Sequence, residues 1–108
     1  MREAVAALAL VLALATPAFA QSRMTFINGN ELHEMCQVDR ARCEGFIWGV
    51  ADALEATAWP SPRSCRPKSV IADQVVDLAI QALAGKPAER HRPAFDLIAD
   101  EVVGLWPC

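Results

Sequence analysis

Apolar side chains recur at steps of three and four residues in three segments of the chain, and this spacing is typical of helices. The first segment covers residues 31 to about 57, and Asn28 or Asn30 can act as its N-cap. Prolines that begin with Pro60 then stop the helix. No segment alternates with period two for long enough to be a strand. The pattern therefore predicts an all-α fold, a small helical bundle of three main helices.

The other two helices are bounded by glycine and proline. The second covers about residues 70–84, with Ser69 as its expected cap and Gly85 at its end. The third lies within residues 88–104, where Pro93 is either the first helical residue or the site of a kink. These boundaries leave a proline-rich loop between the first and second helices.

Residues 1–20 have a different pattern, which is typical of a signal peptide. A positively charged residue precedes the uncharged apolar run of residues 4–15, and small residues then suit cleavage before Gln21. The apolar run is shorter than the stretch of about 20 residues that a transmembrane helix needs. We therefore expect a periplasmic protein whose mature part, residues 21–108, is a single helical domain with no membrane anchor.

The charge of the chain narrows the choice of partners. Its formal net charge is −3, and the predicted signal peptide contributes nothing to it, since it has one acidic and one basic residue. Nucleic-acid-binding domains usually carry a basic patch that neutralises phosphates. We therefore expect no nucleic acid as a partner.

Four cysteines, Cys36, Cys43, Cys65 and Cys108, follow the predicted signal peptide, and an even number in an exported protein predicts disulfides. On one continuous helix the Cα atoms of Cys36 and Cys43 would lie about 10.5 Å apart, whereas a disulfide needs less than roughly 7 Å. Each of the two is therefore expected to pair with Cys65 or Cys108. We favour Cys43–Cys65 with Cys36–Cys108, because Cys65 lies nearer to Cys43; the alternative is Cys36–Cys65 with Cys43–Cys108.

The sequence predicts neither a metal site nor a catalytic centre. His33 lies close to Cys36, but the cysteines lack the paired close spacing of zinc ligands. The charged run of residues 89–92 places His91 near Glu89, yet no free cysteine and no serine in a recognisable elbow is available as a nucleophile. We expect a protein without cofactor, metal or enzymatic activity.

Small residues form a stripe along the first predicted helix. Gly45, Gly49 and Ala53 recur at four-residue spacing. Because glycine inside a helix costs about 1 kcal/mol relative to alanine, the stripe predicts that another helix packs closely against it. We favour a helix of the same chain, and the alternative is a second copy of the protein.

Tryptophan and arginine are enriched at protein interfaces, and three such residues are our candidates for partner contact. Trp48 lies off the main apolar face of its helix. Trp59 and Arg63 belong to the proline-rich loop, where prolines and a nearby disulfide would restrict the backbone before binding.

An ordered set of short motifs covers most of the mature chain. It comprises residues 32–36, the run 43–50 with Asp52 and Ala53, Cys65-Arg66-Pro67 leading to Gln74, Pro87, Arg90-His91, Ala94 and the terminal Trp106-Pro107-Cys108. In these motifs the chain resembles the Rap/Tai-type immunity proteins, which protect bacteria from type VI secretion amidase effectors. The sequence departs from the family pattern at Phe46, where tyrosine is frequent, and at Ile71, where a threonine cap is expected.

The resemblance implies a secreted, disulfide-linked helical domain that forms dimers and presents a loop to the active-site cleft of a peptidoglycan amidase. The motifs do not mark that loop, and the residues themselves point to the segment 59–63. An alternative function is that of a periplasmic stress chaperone, with Asp96, Asp100 and Glu101 as carboxylates beside an apolar interface. Another exported small helical binding protein is a further alternative.

Overall fold

The computed structural model describes residues 25–56 and 63–108, which form four α-helices and one short 3-10 helix. In chain order these are α1 (Gly29–Val38), α2 (Arg40–Ala56), α3 (Ala72–Gly85), the 3-10 helix (Pro87–Glu89) and α4 (Ala94–Leu105). Within these ranges there is no β-strand, and β-pairing is limited to two isolated bridges. The all-α prediction is confirmed, but the number of three main helices is wrong, because the first predicted helix is two helices.

The first predicted helix is broken at Asp39. The backbone of Asp39 leaves the helical region, with φ −146° and ψ 83°, and its N–H donates to the Met35 carbonyl to close α1. The Asp39 carbonyl accepts from the Cys43 N–H at 3.1 Å, and its side-chain Oδ1 accepts from the Arg42 N–H at 3.3 Å. One aspartate therefore ends α1 and caps α2. Periodicity missed the break, because the apolar spacing continues across it.

The break decides the disulfide pairing. Cys36 and Cys43 lie on either side of Asp39 with their Cα atoms 4.8 Å apart, and they are bonded to each other. Cys65 is bonded to Cys108, with a Cα separation of 4.9 Å. Both predicted pairings are therefore wrong, since they assumed a continuous helix through Cys36 and Cys43.

The four helices enclose one apolar core, and each helix packs against the other three. The largest fully buried side chains come from all four: Leu32, Ile47, Leu54, Val75, Val76, Ile98 and Val102. The start of α1 is tied to the start of α4, because the Gly29 N–H donates to the Arg92 carbonyl at 2.9 Å and the Ala94 N–H to the Ile27 carbonyl at 3.1 Å. The bundle is thus closed at this end by backbone hydrogen bonds.

Asn28 is the N-cap of α1, which confirms one of the two predicted alternatives. Its Oδ1 accepts from the Glu31 N–H at 2.9 Å, and the Glu31 carboxylate accepts from the Asn28 N–H at 3.2 Å. This reciprocal pair is a capping box.

The predicted cap of α3 is wrong, because the N-cap is Ile71 rather than Ser69. The Gln74 side chain accepts from the Ile71 N–H at 2.9 Å, which is one half of a capping box. Isoleucine has no side-chain acceptor for the other half.

Pro93 directly precedes α4. The 3-10 helix Pro87–Glu89 ends before Pro93. The third predicted helix therefore consists of a short separate turn followed by α4, and it is not a single helix kinked at Pro93.

The predicted signal peptide, residues 1–20, and the cleavage position before Gln21 lie outside the described residues. Within residues 25–56 and 63–108, none of the helices has the length and apolar character needed to cross a membrane.

Candidate partner-binding site

Two of the three predicted contact residues belong to the described structure, and both are on the surface. Trp48 lies on α2 with 41% of its surface exposed. Arg63 is exposed and lies in the connection between α2 and α3. Its N–H donates to the Leu54 carbonyl at 2.9 Å, which places Arg63 at the carboxyl end of the helix that carries Trp48. Trp59 lies outside the described residues.

The described residues on either side of residues 57–62 are held to the helical body, and the upstream side is the end of α2 at Ala56. On the downstream side, Ser64 is buried, and its hydroxyl donates to the Trp106 carbonyl at 3.3 Å. The Cys65 N–H donates to the same carbonyl at 2.9 Å, and the Cys65–Cys108 disulfide adds a covalent link. Both ends of this short segment are therefore anchored to the helical body.

Arg66 fixes the chain just beyond that anchor. Its Nε and Nη2 donate to the two carboxylate oxygens of Glu55 on α2, at 2.7 and 3.2 Å. Its Nη1 donates to the Val70 carbonyl in the lead-in to α3. Such a two-pronged arginine–carboxylate contact restricts both position and orientation. Arg66 was part of the motif behind the resemblance, but the sequence did not indicate its partner.

A pocket of about 220 Å³ opens beside this arginine between α2 and α3. It is lined by Trp48, Ala51, Asp52, Arg66, Ala72 and Val75. The sequence indicated that Trp48 lies off the apolar face of its helix but did not indicate the pocket, because the pocket walls come from segments that are distant in sequence.

The two glycines of the small-residue stripe have no other described segment packed closely against them. A Cβ added at Gly45 or Gly49 would have no atom of another described segment within 4 Å, and both residues are exposed, as is Ala53. The favoured prediction of close packing within the chain is therefore wrong. Contact with a second copy stays a prediction.

The charged run before α4 is organised by ion pairs. Arg92 donates to Glu89 at 3.2 Å and to Asp100 at 2.9 Å. The hydrogen bond to Asp100 raises the pKa of Arg92 above its usual value. His91 Nδ1 lies 3.1 Å from the Ala88 carbonyl, which makes Nδ1 the donor in that contact.

The cysteines and two of the carboxylates considered in the sequence analysis are engaged in other contacts. All four cysteines are in disulfides, so the chain has no free thiol. Among residues 25–56 and 63–108, no group of three or more His, Cys, Asp and Glu side chains could hold a metal ion. Asp100 and Glu101, two of the carboxylates considered for an acid-dependent chaperone, form surface ion pairs with Arg92 and Lys86.

Four helices, two disulfides and a short connection held at both ends define a small cross-linked helical domain with a partly exposed tryptophan beside a pocket. The chain belongs to the family of Rap1a immunity proteins, whose family model matches residues 28–108. Searches of curated proteins and of solved structures gave no significant match. Membership in this family confirms the resemblance and indicates an immunity protein that binds a cognate secreted effector.

Proposed function

We propose that this protein is a periplasmic immunity protein that binds the peptidoglycan amidase effector of a type VI secretion system. It acts by occlusion: the segment of residues 59–63 enters the active-site cleft of the amidase and blocks access to the substrate. The observation that carries the proposal is the anchoring of this segment at both ends, by α2 on one side and by the Cys65–Cys108 disulfide on the other.

Anchoring favours binding through entropy. Ordering a loop on binding costs free energy, and a loop whose ends are already fixed loses less freedom when it meets its partner. Trp59 and Arg63 are residue types that often dominate interface energies, and Trp48 adds exposed aromatic surface on the adjoining helix. The three residues are therefore our contact residues for the effector.

The periplasm suits the chemistry of the chain. Disulfides persist in oxidising compartments such as the periplasm, and the predicted signal peptide would direct the chain there.

We also propose that a second copy of the protein contacts the exposed stripe of Gly45, Gly49 and Ala53. Two helices can approach each other closely along this stripe because its side chains are small.

The test is protection of cells that carry a secreted cysteine–histidine amidase in the periplasm, together with co-purification of the two proteins. If a neighbouring gene encodes such an amidase, its product is the one to use. We expect the intact protein to restore growth and to bind the amidase. If it binds no such amidase, the proposed function is wrong.

A variant in which residues 59–63 are replaced by a Gly/Ser segment of equal length tests the loop. We expect protection to be lost while the thermal unfolding temperature is retained. The matched control is Lys68→Ala, which removes an exposed basic residue further along the same connection and should protect fully. If the loop variant protects as well as the intact protein, the loop assignment is wrong.

A further inference from the structure

The pocket between α2 and α3 combines an apolar lining with an aromatic and an acidic side chain. Ala51, Ala72 and Val75 supply the apolar part. Trp48 and Asp52 both line the pocket and lie four residues apart on α2, so their side chains project from the same face of the helix. An indole ring and a carboxylate are therefore available to one bound group.

Asp52 carries the uncompensated charge of this pocket. Its carboxylate is exposed and forms no hydrogen bond or ion pair with any residue in 25–56 or 63–108. Arg66 also lines the pocket, but Glu55 accepts two hydrogen bonds from its guanidinium and offsets its charge. The sum over Asp52, Glu55 and Arg66 is one negative charge, which favours a cation.

The size of the pocket favours a side chain over a free ligand. Sites for small molecules typically have volumes of about 300–1,000 Å³, and this pocket has about 220 Å³. A guanidinium can stack on an indole ring and donate to a carboxylate at the same time. Arginine is thus the side chain whose chemistry matches both Trp48 and Asp52.

We propose that this pocket is a subsite for one arginine side chain of the protein partner, held between the Trp48 ring and the Asp52 carboxylate. The identity of that partner as the amidase effector rests on the proposed function. Asp52 lies one turn before the end of α2 at Ala56, so the pocket is at the same end of α2 as the connection to α3.

The first experiment needs no effector. The intact, disulfide-bonded protein is titrated with N-acetyl-arginine amide, and the Trp48 indole N–H is followed by nuclear magnetic resonance. N-acetyl-citrulline amide, which has nearly the same shape but no charge, is the control ligand. We expect the Trp48 resonance to shift with the arginine compound and not with the citrulline compound.

Two variants test whether the shift depends on the Asp52 carboxylate. Asp52→Asn should abolish the shift, whereas Glu34→Gln, which removes an exposed carboxylate from α1, should retain it. An equal response to citrulline, or an unchanged shift in Asp52→Asn, would overturn the subsite. Stronger binding of N-acetyl-glutamate amide than of N-acetyl-arginine amide would also overturn the subsite, because it would show that the pocket binds an anion through Arg66.

The second experiment measures affinity for the amidase. Asp52→Asn and Trp48→Leu should each weaken binding to the amidase by about tenfold, the effect of losing one modest contact. Trp48→Phe keeps an aromatic ring and should weaken binding less. If both weakening variants bind normally, the subsite is wrong although the immunity function stands. If the arginine titration succeeds but the unmodified protein binds no amidase, the function is wrong although the subsite stands.

Discussion

At the residue scale, Gly29 decides how closely α1 meets the turn before α4. It is buried at the first position of α1, and its N–H donates to the Arg92 carbonyl. A Cβ at this position would lie 2.8 Å from the Arg90 carbonyl oxygen and would also collide with the Leu97 side chain. Only glycine allows the backbones to approach this closely. The sequence did not distinguish Gly29 from the other glycines.

Gly29→Ala is therefore expected to lower the free energy of unfolding by about 1–3 kcal/mol, the usual cost of overpacking. Gly104→Ala is the matched control, because Gly104 lies within α4 and a Cβ there has no other described segment within 4 Å. Alanine has the higher helix propensity, so the control should be unchanged or more stable by up to about 1 kcal/mol. Urea unfolding measures both. Equal stability of the two variants would contradict the close approach at Gly29.

At the element scale, the junction of α1 and α2 depends on a single aspartate and one disulfide. Asp39 accepts from the Arg42 N–H through its side chain and from the Cys43 N–H through its carbonyl. Cys36 and Cys43 then join the two helices across the break. The helices can pack against each other because the chain turns here, and Leu32 of α1 is buried in the shared core.

Asp39→Ala should destabilise the protein by about 1 kcal/mol, since α2 loses its side-chain cap. Asp39→Asn keeps an acceptor oxygen and should lose only the smaller contribution of charge at a helix amino end, roughly 0.3–1 kcal/mol. Thermal unfolding of the two variants under the same conditions separates them. If asparagine is as damaging as alanine, the side-chain oxygen is not the capping group.

At the scale of the whole molecule, the C-terminus is joined to the connection between α2 and α3. The Cys65–Cys108 disulfide spans a sequence separation of 43 residues, and a β-bridge joins Ser64 to Pro107. Trp106 packs against the core, and its carbonyl accepts a hydrogen bond from the Ser64 hydroxyl. This cross-link encloses α3 and α4 and also fixes one end of the proposed binding loop.

Replacing Cys65 and Cys108 together by alanine should lower the free energy of unfolding by about 4 kcal/mol, as expected for a loop of this length in the unfolded chain. Both cysteines are exposed, so little packing is lost with them. Chemical denaturation of the oxidised proteins measures the change.

Ser64→Ala is the comparison for this prediction, because it removes the buried hydroxyl that bonds to Trp106 and leaves the disulfide in place. Its expected cost is about 1 kcal/mol. If the alanine pair costs no more than Ser64→Ala, backbone contacts rather than the cross-link hold the C-terminus.

Much of the fold followed from local signals in the sequence. The periodic apolar positions identified the helical regions, Asn28 was one of two expected caps, and the terminal motif Trp106-Pro107-Cys108 contributed to the resemblance that family membership confirmed. These features depend on residues close in sequence, where spacing and capping chemistry carry the information. The helix break at Asp39 was missed because the apolar positions keep a helical spacing on both sides of it. That spacing does not show that Asp39 ends one helix and caps the next.

By itself, the sequence determined the helical class, the positions of most helices, the family and the participation of all four cysteines in disulfides. Only the tertiary structure decided which cysteines pair, that Gly45 and Gly49 have no close neighbour from another described segment, and that Asp52 and Arg66 line one pocket. The reason is physical. Pairing and pocket formation depend on how segments distant in sequence pack together, and the break at Asp39 brings Cys43 beside Cys36 without altering the apolar pattern.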